Sequence, residues 1–305
     1  MMTNAEKIFT FINEHAQKTD KLYLEGVIDV CNNWLEGKEV PTLAEPVTKE
    51  EIRRGLQLAI LNGMKQQAQV NHQMTPDSIG MLLAHITSKL MQDQSAVTIL
   101  DPAVGTGNLL YTVMNYMPVE SIAFAVEIDD LLVRLAALTA ELLEQEVSFI
   151  VQDALRPLFI DPVDVVVTDV PVGYYPDDDN ALNYQLMPSE GHSYAHHLFI
   201  EQSLKHTKPG GYALFIVPEN LFESEHAAQL HEFLKKESII RAVLQLPTSL
   251  FKNAALQKSI LVLQKPSEQI KTTPEVLLAK VPNMSNKEAM AGFLQDFDLW
   301  VRQNE

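Results

Sequence analysis

The chain changes from an apolar run to a helical segment across Ile99-Leu100-Asp101-Pro102-Ala103-Val104-Gly105-Thr106-Gly107-Asn108. Two glycines one residue apart allow the backbone to approach a ligand closely while the N-terminus of a helix faces it. A dinucleotide-binding fingerprint needs a third glycine three residues after the second, and Leu110 stands at that position. The segment therefore predicts a strand, a ligand-binding turn and a helix, and it disfavours NAD as the ligand.

An acidic residue lies at the distance expected of a ribose-binding carboxylate. Glu127 follows Gly107 by 20 residues and ends the second strand-like run. In doubly wound folds a carboxylate at this position accepts hydrogen bonds from ribose hydroxyls. The alternative interpretation is a tight strand-to-helix turn beside a solvated surface acid, and the two residues alone leave that alternative open.

From residue 96 onward, apolar runs alternate with helical segments. Such alternation predicts a parallel sheet covered on both faces, so the fold class is α/β. No convincing helix separates the last two runs, which predicts that they pair antiparallel. We therefore expect a Rossmann-like fold with a mixed seven-stranded sheet. The seven runs are Val97 to Asp101, Ile122 to Ile128, Val147 to Asp153, Val163 to Val170, Tyr212 to Val217, Ile239 to Leu246 and Ser259 to Gln264.

The first 95 residues are predicted to be helical, because apolar residues recur there at spacings of three and four. Thr48-Lys49-Glu50-Glu51 is a capping-box pattern, and Thr75-Pro76 predicts a further helix with Thr75 as its N-cap. Helical spacing also recurs near the end of the chain. The predicted organisation is an N-terminal helical domain over 1–95, a ligand-binding α/β domain over 96–281 and a C-terminal helix over 282–305.

The charge of the chain is concentrated in its middle third. Lys and Arg number 23 against 40 Asp and Glu, a net charge of −17, and residues 96–190 hold 16 acidic and two basic side chains. Nucleic-acid affinity comes largely from basic side chains that replace counterions on the phosphates, so this acidity disfavours DNA binding by the isolated chain. A basic protein partner, a cation or a substrate other than DNA would accommodate it. The basic residues later in the chain form either one edge of a nucleic-acid channel or a solvated surface: Lys235, Lys236, Arg241, Lys252, Lys258 and Lys265.

The single cysteine, Cys31, cannot form an internal disulfide, which predicts the reducing cytoplasm as the location. Its position on an apolar helical face predicts a core residue. No apolar stretch reaches the roughly 18 to 20 residues needed to cross a bilayer. No basic region followed by an apolar run indicates a signal peptide. We therefore expect a cytoplasmic protein with no membrane partner.

The segment from Asp101 to Gly107 resembles the S-adenosylmethionine loop of the N6-adenine DNA methyltransferases, and most closely that of the modification subunits of type I restriction systems. Further segments match that family in the family's order, over roughly residues 48 to 265. They are Gln73-Met74-Thr75-Pro76, Glu127-Ile128-Asp129, Gln152-Asp153-Ala154-Leu155, Leu198-Phe199-Ile200 with Lys208-Pro209-Gly210-Gly211, Val217-Pro218-Glu219-Asn220-Leu221-Phe222, Leu246-Pro247-Thr248-Ser249-Leu250-Phe251 and Ser259-Ile260-Leu261-Val262-Leu263.

The resemblance implies S-adenosyl-L-methionine as the cofactor and methylation of adenine N6 as the activity. It implies that Thr75 meets the methionine carboxylate, that Glu127 holds the ribose and that Asp153 accepts a hydrogen bond from the cofactor's adenine amine. Ile128 would pack on the adenine ring. The cofactor-binding residues implied are Thr75, Asp101, Pro102, Ala103, Gly105, Thr106, Gly107, Asn108, Glu127, Ile128, Asp153 and Ala154.

The catalytic segment departs from the family pattern, which is Asn or Asp, two prolines and an aromatic residue. This chain has Asp169-Val170-Pro171-Val172 at the end of the fourth run. By resemblance, Asp169 and the carbonyl of Val170 accept the two amine hydrogens of the target adenine, and an aromatic ring stacks on the flipped base. Val172 cannot stack, so Tyr174 or Tyr175 is the hypothetical replacement. An altered, inactive loop is the alternative.

The connection from 172 to 195 is long for a compact domain, as lids and substrate-recognition segments often are. It contains Asp177, Asp178 and Asp179, which would repel phosphate, so a solvated acidic loop is the favoured interpretation. Binding of a cation, or mimicry of phosphates toward a partner, is the alternative. The histidines near its end, His192, His196 and His197, lack zinc-type spacing. We predict no metal.

The leading function is thus methyl transfer from S-adenosylmethionine, most like N6-adenine methylation of DNA. One alternative is a methyltransferase for a non-DNA acceptor, and the other is a non-catalytic S-adenosylmethionine-binding interaction protein. About 40 residues follow Lys265, too few for a target-recognition domain. A separate specificity subunit is therefore the expected partner if DNA is the substrate.

Overall fold

The N-terminal part of the chain folds as helices, as the apolar spacing predicts. The computed structural model describes residues 2–66, 74–270 and 275–304, and Gln73 of the family-like segment lies outside them. The predicted capping box is confirmed, since the amide of Thr48 donates to Glu51 and the amide of Glu51 donates to the Thr48 hydroxyl. The first helices are α1 (Asn4–Ala16), α2 (Tyr23–Leu35), α3 (Lys49–Gln66) and α4 (Asp77–Leu90).

Helix α4 begins one residue later than predicted. Its N-cap is Pro76, and Asp77 is its first helical residue. Thr75, the predicted N-cap, instead donates its hydroxyl to Asp169. The side chain that local sequence assigns to a helix end is therefore used for a contact with the distant end of a strand.

An eight-stranded sheet follows, one strand more than predicted. Its strands within the described residues are β1 (Ala96–Asp101), β2 (Glu120–Glu127), β3 (Val147–Val151), β4 (Val163–Asp169), β5 (Thr207–Pro218), β6 (Ile239–Gln245), β7 (Lys258–Gln264) and β8 (Leu277–Lys280). The missed strand, β8, has only four residues, which are alternately half-buried and exposed, so it carries no continuous apolar run. It lies at an edge of the sheet, where one face is open to solvent.

The strand order is β3-β2-β1-β4-β5-β7-β6-β8. The first five of these strands are parallel, and β7 lies antiparallel between β5 and β6, which confirms the predicted antiparallel pair. The order reverses between β1 and β4. In open α/β sheets, ligands bind beyond the carboxyl ends of the strands at such a switch point.

Helices cover both faces of the sheet. They are α5 (Asn108–Tyr116), α6 (Asp130–Leu142), α7 (Asp178–Ala181), α8 (Ala195–Lys205), α9 (Ala227–Glu237) and α10 (Lys287–Asn304). Apolar residues of α4, α5 and α10 share one core with the sheet, and those of α8 and α9 share a second core on the other face. The predicted C-terminal helix is confirmed as α10, which buries Phe297 and Val301.

Helices α1 to α3 form a third core, which closes against α6 through Leu135. Cys31 is buried in this core, as predicted, and burial raises the pKa of its thiol to about 12. Helix α4 belongs to the sheet's core, although it lies within residues 1–95. The domain boundaries at residues 95 and 281 stay a prediction. In the described ranges, no helix combines the length and apolarity that a membrane span requires.

Candidate active site

The turn after β1 has the geometry predicted for a ligand cradle. Gly105 and Gly107 both adopt positive φ angles, +55° and +80°. A Cβ on Gly107 would lie 2.2 Å from the ring of Tyr111, so only glycine fits there. Helix α5 begins at the next residue, Asn108, and its N-terminus faces the turn.

Glu127, at the end of β2, joins this turn to the next one. Its Oε2 accepts a hydrogen bond from the amide of Gly105 at 3.0 Å, and its Oε1 accepts from the amides of Ile128 and Asp129 at 2.9 and 3.0 Å. The carboxylate is therefore fixed by backbone groups and keeps further lone pairs for a ligand hydroxyl. Ile128 beside it is 69% exposed, an unusual state for a large aliphatic side chain.

Asp101, at the end of β1, is the buried acid of the site. Its Oδ1 accepts from the amide of Ala103 at 3.1 Å. Burial above all raises the pKa of Asp101 to about 7, and the negative charges of Glu127 and Asp169 act in the same direction. Three carboxyl groups near one turn give a site that suits a positively charged ligand.

Asp153, after β3, contacts both a turn amide and the long connection that follows β4. Its Oδ1 accepts from the amide of Leu155 at 2.9 Å, and its Oδ2 accepts from the hydroxyl of Tyr175 at 2.6 Å. Burial first of all raises the pKa of Tyr175 to about 12, so this phenol stays a neutral donor. Tyr175 is buried, and Tyr174 is the tyrosine of this pair that presents an exposed ring.

Asp169, at the end of β4, is held by two side chains from distant parts of the sequence. The Lys258 ammonium donates to its Oδ1 at 2.6 Å, and the Thr75 hydroxyl donates to its Oδ2 at 3.0 Å. Val170 is buried, and its amide donates to the carbonyl of Ile216 at 3.2 Å. Its backbone direction is therefore fixed by β5.

Pro171 and Val172 lie on the surface beyond this point, Val172 with 59% of its side chain exposed. The sequence places Lys258 only in a set of basic residues that form a channel edge or a solvated surface, not beside Asp169. Its position at the start of β7, directly before an apolar run, was the one available signal that it lies at a strand end.

Aromatic side chains cluster beside the catalytic segment. The rings of Tyr174 and Tyr194 stack with centroids 5.0 Å apart and an interplanar angle of 11°. His196, His197 and His226 surround Tyr194, with ring centroids 5.0 to 5.5 Å from it. We call these five residues the aromatic platform. An antiparallel bridge between Tyr174 and Tyr194 fixes the two backbones together.

Buried polar atoms lie at the base of the aromatic platform. Ser193, His196 and His197 are at least nine-tenths buried. No hydrogen-bond partner among the described residues reaches Ser193 Oγ, His196 Nδ1 or His197 Nε2. Burial lowers the pKa of His196 to about 4 and is the main cause that lowers the pKa of His197 to about 3, so both imidazoles are neutral at pH 7.

Charged side chains of the same region pair with one another. His192 contacts Asp178 at 3.0 Å, and both side chains are exposed. Asp177 pairs with Arg156 and caps α7, so this aspartate of the acidic loop has a structural role. Across residues 2–66, 74–270 and 275–304, no group of three or more metal-ligating side chains is assembled.

The sequence profile of the N-6 DNA Methylase family matches residues 59–296. The chain belongs to the N-6 DNA methylase family. It is 50% identical over 257 residues to the "Uncharacterized protein YtxK" of Bacillus subtilis, a match that covers 84% of this chain and 78% of that protein.

Solved structures show the same architecture. A putative class I S-adenosylmethionine-dependent methyltransferase from Listeria monocytogenes has a TM-score of 0.89 and 41% identity, over 98% of this chain and 99% of that one. A modification subunit of a putative type I restriction enzyme from Vibrio vulnificus has a TM-score of 0.68 and 18% identity, over 92% of this chain and 62% of that one. The second likeness concerns the fold alone.

The family and the fold make this chain an S-adenosylmethionine-dependent methyltransferase, most like the N6-adenine DNA methylases, with S-adenosyl-L-methionine as its cofactor. The residues around the turn after β1 fit that cofactor. The cradle of Gly105 and Gly107 admits a close ligand, and the carboxyl groups of Asp101 and Glu127 suit its positive charges and its ribose hydroxyls.

Proposed function

We propose that the chain methylates the exocyclic amine of an adenine base, with DNA as the leading acceptor. The observation that carries the proposal is the Asp169 carboxylate. It ends the strand next to the cofactor turn, and the Thr75 hydroxyl connects it to the cofactor side at 3.0 Å. An acceptor group and a methyl donor held on one edge of a sheet meet the main requirement of methyl transfer, which is placement.

Each proposed cofactor residue has a role that its chemistry supports. Thr75 and Asn108 would face the methionine end, and the turn Asp101–Gly107, including Pro102, Ala103 and Thr106, would surround the amino-acid half. Glu127 would accept hydrogen bonds from the ribose. Ile128 would cover one face of the adenine ring, with Asp153 and Ala154 at its edge.

Bound S-adenosylmethionine would supply a methyl group on a positively charged sulfur. The residues of this chain would orient the acceptor. Asp169 and the carbonyl of Val170 would accept the two amine hydrogens, which directs the nitrogen lone pair away from the ring and toward the methyl group. A carboxylate offers about four acceptor positions, so the bonds from Lys258 and Thr75 leave room for the amine.

Tyr174 is the proposed stacking face for the acceptor base in place of Val172. Its ring is 59% exposed and rests on Tyr194. Base–aromatic stacking contributes about 1–3 kcal/mol per base. The neutral imidazoles of His196 and His197 make the platform suit an uncharged planar group rather than a phosphate. Tyr175 would act on the cofactor side through Asp153.

Each of two alternative functions is supported by a specific observation. The net charge of −14 over residues 96–190 favours a methyl acceptor other than DNA. The contact of Lys258 with Asp169, together with the exposed Val172, favours a cofactor-binding interaction protein without catalysis.

For DNA as acceptor, we propose a partner with basic surface, such as a specificity subunit, that contacts the phosphates. The lone cysteine supports a cytoplasmic location.

The proposal is tested with methyl-labelled S-adenosylmethionine and three acceptor pools: DNA, RNA and whole-cell protein extract. We expect label in adenine N6 of DNA, and its loss in Asp169→Ala. The matched control is Asp161→Ala, which removes an exposed aspartate before β4. If only RNA or protein is labelled, that pool and not DNA contains the methyl acceptor. If no pool is labelled, the result favours a non-catalytic S-adenosylmethionine-binding protein.

A further inference from the structure

Arg53 is a charged side chain with almost no solvent contact. It lies in the second turn of α3 and is 1% exposed, among the largest fully buried side chains of the described residues. Its Nε and Nη2 donate to the two carboxylate oxygens of Glu50 at 2.8 and 2.7 Å. A buried arginine persists only where such partners compensate for its lost hydration.

The remaining arm of Arg53 reaches two other helices. Its Nη1 donates to Asn108 Oδ1 at 2.5 Å and to Asp77 Oδ1 at 3.1 Å. Asn108 is the first residue of α5, and Asp77 is the first residue of α4. One guanidinium therefore fixes the starts of two helices whose N-termini border the cofactor turn. Gln57, one turn further along α3, also donates to Asp77, at 2.6 Å.

These contacts continue to the end of β4. Asn108 Nδ2 donates to the carbonyl of Thr75 at 3.0 Å, and the Thr75 hydroxyl donates to Asp169 Oδ2 at 3.0 Å. Four residues from four separate parts of the sequence are thus linked by hydrogen bonds, through both the carbonyl and the hydroxyl of Thr75: Arg53, Asn108, Thr75 and Asp169. We call it the Arg53 relay.

The two carboxylates that pair with Arg53, those of Glu50 and Asp77, have lowered pKa values. Burial acts to raise the pKa of Glu50 and of Asp77, but hydrogen bonds and the charge of Arg53 outweigh it and hold both pKa values below their usual range. Arg53 is therefore paired with two carboxylates. Its contact with Asn108 comes in addition to those pairs, so charge neutralisation alone does not account for it.

We infer that Arg53 is a positioning residue for the methionine half of the cofactor. It acts through Asn108 on Thr75 and so holds the polar groups that meet the methionine end, an inference that rests on the cofactor roles proposed above for Thr75 and Asn108. The N-terminal helices are thereby part of the cofactor site, although α3 itself contributes no residue to the glycine turn.

The test compares two ligands that differ only in the amino-acid half. S-adenosylhomocysteine carries that half, and 5′-methylthioadenosine lacks it. Calorimetric titration of Arg53→Met should give affinity for S-adenosylhomocysteine about tenfold or more below that of the parent chain, because Asn108 and Thr75 lose the contact that positions them. Affinity for 5′-methylthioadenosine should change by less than about twofold.

The matched control is Arg54→Met. Arg54 also donates to Glu50, at 3.0 Å, but its side chain is 53% exposed. Its removal should change neither affinity. Unchanged binding of S-adenosylhomocysteine by Arg53→Met would overturn the inference. Equal weakening of both ligands would overturn it too, because Arg53 would then support the whole site rather than the methionine half.

Arg53→Met removes the guanidinium that pairs with two partly buried carboxylates, Glu50 and Asp77, so thermal unfolding is measured first. If it does not fold, Arg53→Lys and Asn108→Ser are combined in a double-mutant cycle with the same two ligands. Action through Asn108 predicts that the double variant binds S-adenosylhomocysteine no more weakly than Asn108→Ser alone. Additive losses would contradict the relay. These binding results do not depend on the acceptor, so failure of adenine methylation leaves them intact.

Discussion

The acids at the ends of β1 and β2 accept hydrogen bonds from backbone amides, whereas the acid at the end of β4 bonds to two side chains. Glu127 accepts from three amides of its own turn and the neighbouring turn. Asp169 accepts from Lys258, 89 residues away, and from Thr75, 94 residues away. The ribose end of the cofactor site is therefore specified by backbone groups, and the acceptor half depends on side chains from distant parts of the chain.

The two kinds of contact differ in their sensitivity to substitution. Backbone contacts persist through most substitutions around them, because they follow from the conformation of the turn. Side-chain contacts are lost with one substitution. The departure from the family pattern, Val170 to Val172, lies wholly in the acceptor half. We expect the ribose end of the cofactor site to tolerate substitutions in its surroundings and the choice of acceptor to be the variable property of this chain.

Substitution of Asp169 should have the largest effect on methyl transfer and little effect on cofactor binding. In Asp169→Ala, kcat for methyl transfer should fall by about 10²- to 10³-fold, because the amine loses the acceptor that orients it. The dissociation constant of S-adenosylmethionine should change by less than about threefold. Single-turnover kinetics and calorimetry measure the two quantities. A parallel loss of cofactor binding would show that Asp169 belongs to the cofactor half.

Substitution of Glu127 should have the opposite pattern. Glu127→Ala should weaken S-adenosylmethionine by about 10- to 100-fold, since a charged hydrogen-bond acceptor and its backbone contacts are lost. Glu120→Ala, at the exposed beginning of the same strand, is the control and should bind normally. Wild-type affinity in Glu127→Ala would remove this carboxylate from the cofactor site.

Asp101 gives the cofactor half a dependence on pH. Its pKa of about 7 means that it is neutral below that pH and ionised above it. A positively charged ligand favours the ionised form, so affinity should rise with pH, by about tenfold between pH 6 and 7.5. Asp101→Asn should abolish this rise, and calorimetry at several pH values measures it. An affinity that falls with rising pH would contradict the assignment.

Substitution on the aromatic platform should have the smallest of these effects. Tyr174→Ala should raise the KM of the acceptor by about fivefold or more and leave cofactor affinity unchanged. Tyr116→Ala, which removes a half-exposed tyrosine from the end of α5, is the matched control. If the KM of the acceptor stays the same in Tyr174→Ala, the base stacks elsewhere or does not stack.

The sequence predicts those parts of the molecule whose contacts are local. The glycine turn, the capping box of α3 and seven of the eight strands follow from patterns within a few residues. Strand β8 escapes prediction because its four residues show no continuous apolar run. The contact of Lys258 with Asp169 and that of Arg53 with Asn108 exist only after folding joins segments 89 and 55 residues apart.

The most direct test of the division between the two halves is calorimetric titration with S-adenosylmethionine and, separately, with NAD. The intact cofactor half predicts one S-adenosylmethionine site per chain and no heat of binding with NAD, since Leu110 stands where a dinucleotide fingerprint has glycine. It also predicts that Asp169→Ala keeps that site. Binding of NAD alone, or of neither ligand, would contradict the assignment of the turn after β1.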